Sequence, residues 1–437
     1  MFSLNPYKWL QSKDGPVEDD IESKGISIDP DSFLAYALGA NGSSISAGMA
    51  AHFYRNTSSV ATAVDMIAEA IEQIEPVIEM PDGSFVNDHK IIDLLRKPNG
   101  FASWNGFIGQ VARNWLLKHD SLISATGNVK REPIEIWPVS LQNISIMQGS
   151  DEYPNNYLVS TGPVKGNFIR FDKDRKIGTK FYDGKLKELY HIKGYSSRVA
   201  QTEADSPLQA AANEARQIIQ GKTHNLQLLK NGGRLSLLVA FKDEGGQVND
   251  DEHRERIQKL NEQFGGPSNA GKIGVISNAD IDQIRDMNIN NKDMDYGNLE
   301  KMAALSIYLR YKIPLALVTT DASTFNNLET GVELLYDNAV LPTLDTLFSG
   351  LSFFLLHRFG LDPLRYRLTY NPESIKPLKR RMLDEVKTRR DIGVETINEL
   401  RSLLPKREPV QDGDTLYQPV NYIPVGQDIF TDDNNDT

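Results

Sequence analysis

The spacing of hydrophobic positions is strongest between Met294 and Phe359. Leu299, Met302, Leu305, Leu309 and Ile313 recur every three or four residues. That period predicts a helix with one apolar stripe, ended by Pro314, whose ring nitrogen cannot continue the hydrogen-bond ladder. The spacing resumes at Leu328, Gly331, Val332, Leu335 and Ala339 and continues past Pro342 through Leu344, Leu347, Phe348, Leu351, Phe354 and Leu355. Asn327 to Phe359 therefore predicts a helix about 50 Å long with a kink at Pro342. Between the two helices, Leu315 to Asn326 holds no glycine, lysine or arginine. The residues leave two readings of this loop open: a buried connection that adds Leu315, Leu317 and Val318 to the core, or a loop presented outward on two firm helices.

The rest of the chain alternates between helical and extended patterns. Val60, Val64, Ile67, Ala68 and Ile71 share a face and predict a helix over Ser58–Glu75, capped by Ser58 or Ser59 and stopped by Pro76. An extended piece (PVIEM), an Asp82-Gly83 turn and a short helix, His89–Arg96, follow. Ser103–His119 is helical, with Trp104, Phe107, Ile108, Val111 and Trp115 on one side, read as core aromatics rather than a ligand site. From Asp120 to Lys193 short alternating runs broken by Gly, Asn and Pro predict an antiparallel module, including a hairpin at Tyr182-Asp183-Gly184-Lys185. Ser206-Pro207 opens a long helix that stops at Asn231-Gly232-Gly233. A strand (Leu235–Phe241), a helix (Asp250–Phe264) and a β-like GKIGVIS lead to the central helix pair. Beyond it come a strand (YRLTY) and helices over Lys379–Arg390 and Val394–Leu404, parted by Gly393.

Composition changes this picture little. The chain has 437 residues, long enough for two or three cores or one elongated subunit, and no cysteine, so disulfides and thiolate metal sites are out. The longest apolar run, Leu351–Leu356, interrupted only by Ser352, is far short of a membrane span and the N-terminus shows no signal core, so an intracellular or particle-bound soluble protein is expected. Charge is informative in its placement. Residues 1–35 carry seven acidic and three basic side chains and residues 408–437 carry seven acidic and none basic, which places the whole net charge of −11 in the two ends. Such ends are expected to be solvated and mobile. Lys376–Arg390 is the basic exception, with seven basic and two acidic residues. It reads equally as a solvated helix face or as a contact for nucleic acid.

Catalytic chemistry is not visible. There is no phosphate loop, dinucleotide glycine fingerprint, HExxH or GxSxG elbow. His52, His89, His119, His191, His224, His253 and His357 show no metal-ligand spacing. No catalytic residue, metal or cofactor is expected.

The order of modules resembles the portal proteins of tailed bacteriophages, of the compact type found in long-tailed phages. Ser206-Pro-Leu-Gln-Ala-Ala, Asn231-Gly-Gly, Gly265-Gly-Pro-Ser-Asn-Ala-Gly-Lys272, Tyr311-Lys-Ile-Pro-Leu-Ala-Leu317, Asn326-Asn-Leu-Glu and Gly393-Val-Glu-Thr-Ile-Asn-Glu-Leu-Arg401 carry the likeness, over roughly residues 35–420. It implies a mixed α+β, elongated ring subunit, typically one of twelve, at one capsid vertex, through which double-stranded DNA is packaged and ejected. In that scheme 1–35 is a mobile tail, 36–245 a β-rich wing, 250–266 and 294–312 stem helices, and 267–293 a clip. Residues 313–326 are the tunnel loop, 327–375 the long kinked helix and a wing strand, 376–420 a helical crown, and 421–437 an acidic tail.

The resemblance also implies site residues. Leu315, Leu317, Val318, Thr319, Thr320 and Asp321 would line the constriction, and Glu255, Lys259, Glu262, Lys301 and Tyr308 the stem. Asn269, Lys272, Asp280 and Asp282 would dock the terminase large subunit and, later, head-completion or adaptor proteins. Lys379, Arg380, Arg381, Lys387, Arg389 and Arg390 would face packaged DNA. Other implied partners are further copies of the chain and the major capsid or scaffolding protein; no membrane is implied. The implied location is the virion, after assembly in the host cytoplasm. A channel that must not grip the duplex suits a loop without Lys or Arg, because each neutralised phosphate adds affinity, and with the ring in view the projecting-loop reading is preferred. Two other classes are another head-assembly or adaptor ring, which would not need the long helix and loop, and a metal-dependent nuclease.

Overall fold

The computed structural model describes residues 45–127, 132–148, 154–160, 166–171, 176–177, 180–182, 185–197, 202–230, 238–241, 274–277, 296–319, 325–393, 395–404 and 407–416. The acidic ends, the expected helix at Asp250–Phe264 and the segment Ile281–Ile289 lie outside these residues.

Two helices open the described chain, α1 (Ala47–Asn56) and α2 (Ser58–Glu72). The first is absent from the sequence reading; Ser46 caps it by accepting from the Met49 amide. The expected caps of α2 are corrected, because Ser58 is already inside the helix, Thr57 stands at the N-cap without a side-chain bond, and Ser59 is buried. Strands β1 (Pro76–Glu79) and β2 (Phe85–Val86) flank the Asp82-Gly83 turn, where Gly83 has φ 81° and the Asp82 carboxylate accepts from the Ser84 amide. Helix α3 (Lys90–Arg96) is capped by the His89 ring, and α4 (Trp104–Lys118) ends at His119 in the left-handed region.

The extended region resolves into two antiparallel sheets. β3 (Asp120–Gly127), β4 (Pro133–Val139), β9 (Lys180–Tyr182) and β10 (Lys185–Lys193) form one in the order β4-β3-β10-β9. Tyr182 stands opposite Lys185, as the hairpin pattern predicts. β5 (Ile144–Gln148), β6 (Pro154–Val159), β7 (Gly166–Phe171) and β8 (Lys176–Ile177) form the other in simple sequence order. Leu122, Val139, Leu189, Tyr157 and Val159 make a small core joining the two.

The long helix predicted from Ser206 is corrected at its start. Pro207–Gln209 is a 3₁₀ turn, with Ser206 accepting from the Leu208 amide, and the α-helix proper, α5, is Ala212–Lys230. β11 (Leu238–Phe241) and β12 (Gly274–Ser277) pair in parallel, and α6 (Tyr296–Arg310) follows. Beyond it the chain is helical from Asn327 to Phe359, 33 residues that include an 18-residue stretch with mean hydropathy 1.6. By length and composition alone this helix could cross a membrane, which the six-residue apolar run did not suggest. Most of its apolar stretch is buried in the protein, as befits a core helix. It comprises α7 (Phe325–Leu335), a π turn (Tyr336–Val340) and α8 (Leu341–Leu355), then a 3₁₀ turn closed by Gly360 at φ 78°. β13 (Arg367–Tyr370) returns to pair with β1, Pro76 opposite Tyr370. The basic helix α9 (Lys376–Ile392) stops at Gly393, φ 73°, and α10 (Ile397–Ser402) has a full capping box between Thr396 and Glu399.

One main core joins α2, α4 and α8. Val64, Ile67 and Ile71 pack with Phe107, Ile108 and Val111 and with Leu344, Leu347 and Leu351. Trp104 stacks on Phe348 at 6.0 Å and donates its indole N–H to the Ile74 carbonyl, which settles the expectation of core aromatics. Of the apolar stripe expected on α6, only Ile313 at its end is buried in this core. Leu299, Met302 and Leu309 are exposed, whereas Ala303, Ile307 and Tyr311 face inward. Periodicity located an apolar stripe but not what covers it.

The candidate channel loop and its supporting helices

The end of α4 is the anchor of the site. The last carbonyls of a helix have no intrahelical partner; here the Leu116 carbonyl accepts from the Tyr311 hydroxyl at 3.0 Å and the Leu117 carbonyl from the Ser206 hydroxyl at 2.6 Å. Burial pushes the Tyr311 phenol well above its ordinary range, so it stays a donor. Buried Lys118 donates to the Ile45 carbonyl and pairs with Glu203, and buried Asp120 accepts from the Ala204 amide and from His191. His119 sits among these with its pKa lowered by burial and by Arg310. Segments far apart in sequence are thus fixed to one helix end.

α6 ends at this anchor. Lys312 takes φ 59°, the Ile313 amide donates to Tyr308 and the Lys312 amide to Leu309, a Schellman arrangement that stops the helix two residues before Pro314. The proline therefore confirms a stop made by Lys312. Arg310 donates to the Pro207 carbonyl while Lys222 pairs with Glu300, so α5 and α6 run antiparallel. Of the expected stem residues, Lys301 is exposed and Tyr308 half-buried against the core. Glu255, Lys259 and Glu262 lie outside the described residues, as do the clip residues Asn269, Lys272, Asp280 and Asp282.

The loop itself begins with a 3₁₀ turn, Leu315–Leu317. Leu315 is 41% exposed, but Leu317 and Val318 pack against the main core. Leu317 lies over Gly331 of α7, where an added Cβ would fall 3.2 Å from Leu317 Cδ2. The Thr319 hydroxyl donates to the Leu315 carbonyl at 2.8 Å. Thr320 and Asp321 lie outside the described residues. Both readings of the loop thus apply in part: its first half is a seated shoulder with Leu315 turned outward.

Downstream, the irregularity expected at Pro342 is a π turn just before it. A proline at 342 cannot bond to residue 338 and its ring crowds that carbonyl; the Leu341 amide instead reaches Tyr336, five residues back. Such turns often mark functional positions.

The basic helix is largely paired within the chain. Arg380 meets Glu329 at 2.5 Å and Arg381 meets Asp337 at 2.7 Å, tying α9 to the long helix before the π turn and within it. Arg389 pairs with Glu385 and Glu395, and Arg390 with Asp391. Lys379 and Lys387 are exposed. Sequence reasoning missed Glu329 and Asp337 because nothing in a helical pattern tells which distant helix will lie alongside. Among the described residues no three His, Asp or Glu side chains cluster as a metal site.

Residues 58–404 match the model of the phage portal protein family. An uncharacterized protein of Rickettsia bellii (strain RML369-C) is 25% identical over 371 residues, which cover 83% of this chain and 90% of that protein. Among solved structures, the neck of an empty gene transfer agent (GTA) particle computed with C6 symmetry contains a chain with TM-score 0.58 and 20% identity, covering 82% of this chain and 92% of that one. The neck of a native GTA particle computed with C12 symmetry contains one with TM-score 0.58 and 19% identity, covering 86% and 99%.

Proposed function

The chain belongs to the phage portal protein family, and we propose that twelve copies close into a ring at one vertex of a phage-like particle, around a channel for double-stranded DNA. The observation that carries the reading is the family match, which runs unbroken through the core, the anchored helices and the loop between them. The C12 symmetry of the similar GTA neck supports the copy number.

In this reading Pro314–Asn326 forms the constriction. Leu315 is turned outward toward passing DNA, Leu317 and Val318 hold the loop on its seat, and Thr319, Thr320 and Asp321 carry it inward. α6 contributes Lys301 and Tyr308 to the stem, with α5 as its antiparallel companion, and 250–266 adds Glu255, Lys259 and Glu262. The clip, 267–293, offers Asn269, Lys272, Asp280 and Asp282 to the terminase large subunit and afterwards to adaptor proteins. In the crown, Lys379 and Lys387 are the basic groups nearest to serving packaged DNA, because the four arginines already have carboxylate partners. The subunit needs no catalytic centre, since an external motor does the work of translocation. Contacts with the capsid or scaffolding protein fall to the wing.

Negative-stain imaging of the purified full-length chain tests the reading. Rings with a central hole are the expected result. Mass photometry showing only monomers and dimers, whatever the concentration and salt, would sink it.

A further inference from the structure

The C-terminal helices are thinly packed. Among the described residues α9 buries Leu378 alone and α10 Leu400 alone, while Ile397 (41% exposed), Leu403 (37%), Val410 (40%) and Leu416 (49%) stay open. Ile397 and Leu403 flank Leu400 at helical spacing, and a clamp at Asn398 brings the other two beside them. Asn398 donates its backbone amide to the Gly413 carbonyl at 2.9 Å and its side-chain amide to the Asp414 carboxylate at 2.8 Å, and its side-chain carbonyl accepts from the Val410 amide at 2.8 Å. An added Cβ at Gly413 would collide with that side chain, so glycine is what lets the returning chain lie against α10. Leu416 follows two residues after Asp414.

The size of this patch and the place where the chain continues from it indicate what covers it. The four side chains expose apolar surface on the order of 300 Å², well under the roughly 800 Å² per partner of a specific interface between separate molecules. A tethered segment needs less, because a short linker holds it at an effective concentration in the millimolar range. The described residues end at Leu416, inside the patch. The sequence that follows divides in two. Residues 417–430 carry seven apolar or aromatic side chains, Tyr422 and Phe430 among them, and one acid, Asp428, whereas 431–437 carry three acids and no apolar residue. The second stretch has the composition of a solvated tail and the first does not. Fully extended, 417–430 reaches about 45 Å, several times the roughly 9 Å length of α10.

We propose that 417–430 folds back over the face formed by Ile397, Leu403, Val410 and Leu416 of the same chain, and that the acidic tail expected over 421–437 begins only after Phe430. The contact completes the core of the C-terminal helices. It does not rest on the ring reading and holds for a dispersed subunit as for an assembled one.

Hydrogen exchange of the full-length chain and two truncations, all at one concentration, tests it. Removing 431–437 should leave exchange in Ile397–Ser402 and 407–416 at the parental rate; faster exchange there would overturn the placing of the boundary at Phe430. Removing 417–437 should speed that exchange about tenfold or more and raise the binding of a dye that reports exposed apolar surface. Parental exchange and dye binding in the longer truncation overturn the proposal. Full-length chain carrying Val420→Asn, Tyr422→Asn and Ile423→Asn keeps length and charge and should show the same gain whether or not the truncation folds; unchanged exchange in it overturns the proposal as well. A synthetic peptide of residues 417–430 at millimolar concentration should restore protection to the longer truncation, and equal protection by a scrambled peptide would remove the case for a specific seat. Protection in the parent that fades on dilution would assign the cover to a separate molecule and overturn the in-chain contact.

Discussion

Replacing Leu317 with alanine tests how firmly the first half of the loop is seated. A fully buried leucine truncated to alanine costs about 2–5 kcal/mol, through lost transfer energy and the cavity left behind. Leu317 is half-buried against the main core, so its truncation should cost about 1–2.5 kcal/mol. Leu315, 41% exposed and outside that core, should cost under about 1 kcal/mol. The contact with Gly331 sharpens the test. Gly331→Ala alone gains roughly 0.5–1 kcal/mol of helix propensity, but its Cβ falls 3.2 Å from Leu317 Cδ2, and that crowding offsets the gain. With Leu317 already alanine the crowding is gone and the full gain should appear. Urea unfolding followed by tryptophan fluorescence, at one concentration and assembly state, gives the four stabilities of the double-mutant cycle. Additivity within about 0.3 kcal/mol would mean that Leu317 does not rest on the helix, and the seated-shoulder description would fall.

Gly350 lies in α8 against β10, and a Cβ there would come within 2.8 Å of Ile192 Cδ1 and Cγ1; Gly350→Ala should cost about 1–3 kcal/mol, and Ile192→Val should recover part of it. His119 has its pKa lowered on folding, so the unfolded chain takes up the proton first and stability falls as pH drops below about 6.5. His119→Asn, which tolerates the left-handed backbone, should lose less stability than the parent across that range, and parallel melting curves against pH would contradict this. In duplex-binding assays, Lys379→Ala and Lys387→Ala should each reduce the slope of log K against log salt by about 1. Arg380→Ala, already held by Glu329, should change it little; a larger effect from the arginine would reverse the order.

Local patterns in the sequence fix most element positions because helix and strand periods are short-range quantities. The helix at Trp104–Lys118, the hairpin with Tyr182 opposite Lys185 and the left-handed glycines at 83 and 393 all follow from neighbours a few residues apart. Long-range partners do not. β1 and β13 pair across a wide separation in the chain, Pro76 with Tyr370, and neither segment encodes the other's register. α1 escaped notice because Ala47–Asn56 has few large apolar residues, with Phe53 its main contribution to the core. The α6 stripe is the instructive failure. Leu299, Met302 and Leu309 form the more hydrophobic face by composition, yet the protein turns Ala303, Ile307 and Tyr311 inward. Small residues allow close packing on α2 and α5, and Tyr311 is needed at the end of α4.

The same limit governs the charge argument for the channel. A stretch without lysine or arginine from Pro314 to Asn326 is visible in the sequence, and so are seven basic residues among the fifteen from Lys376 to Arg390. Taken one-dimensionally they give a slippery loop followed by a strongly attractive surface. In three dimensions the second half of that statement changes, because Arg380 and Arg381 lie against Glu329 and Asp337, and Arg389 and Arg390 against Glu385, Glu395 and Asp391. Exposed pairs of this kind contribute little to stability, but each removes a cation from the set that could neutralise phosphate, and affinity for duplex depends steeply on that number. In the proposed ring, reducing six candidate contacts to Lys379 and Lys387 would make the basic helix a weak, salt-sensitive guide in place of a clamp, the property a surface needs if DNA is to move past it in both directions.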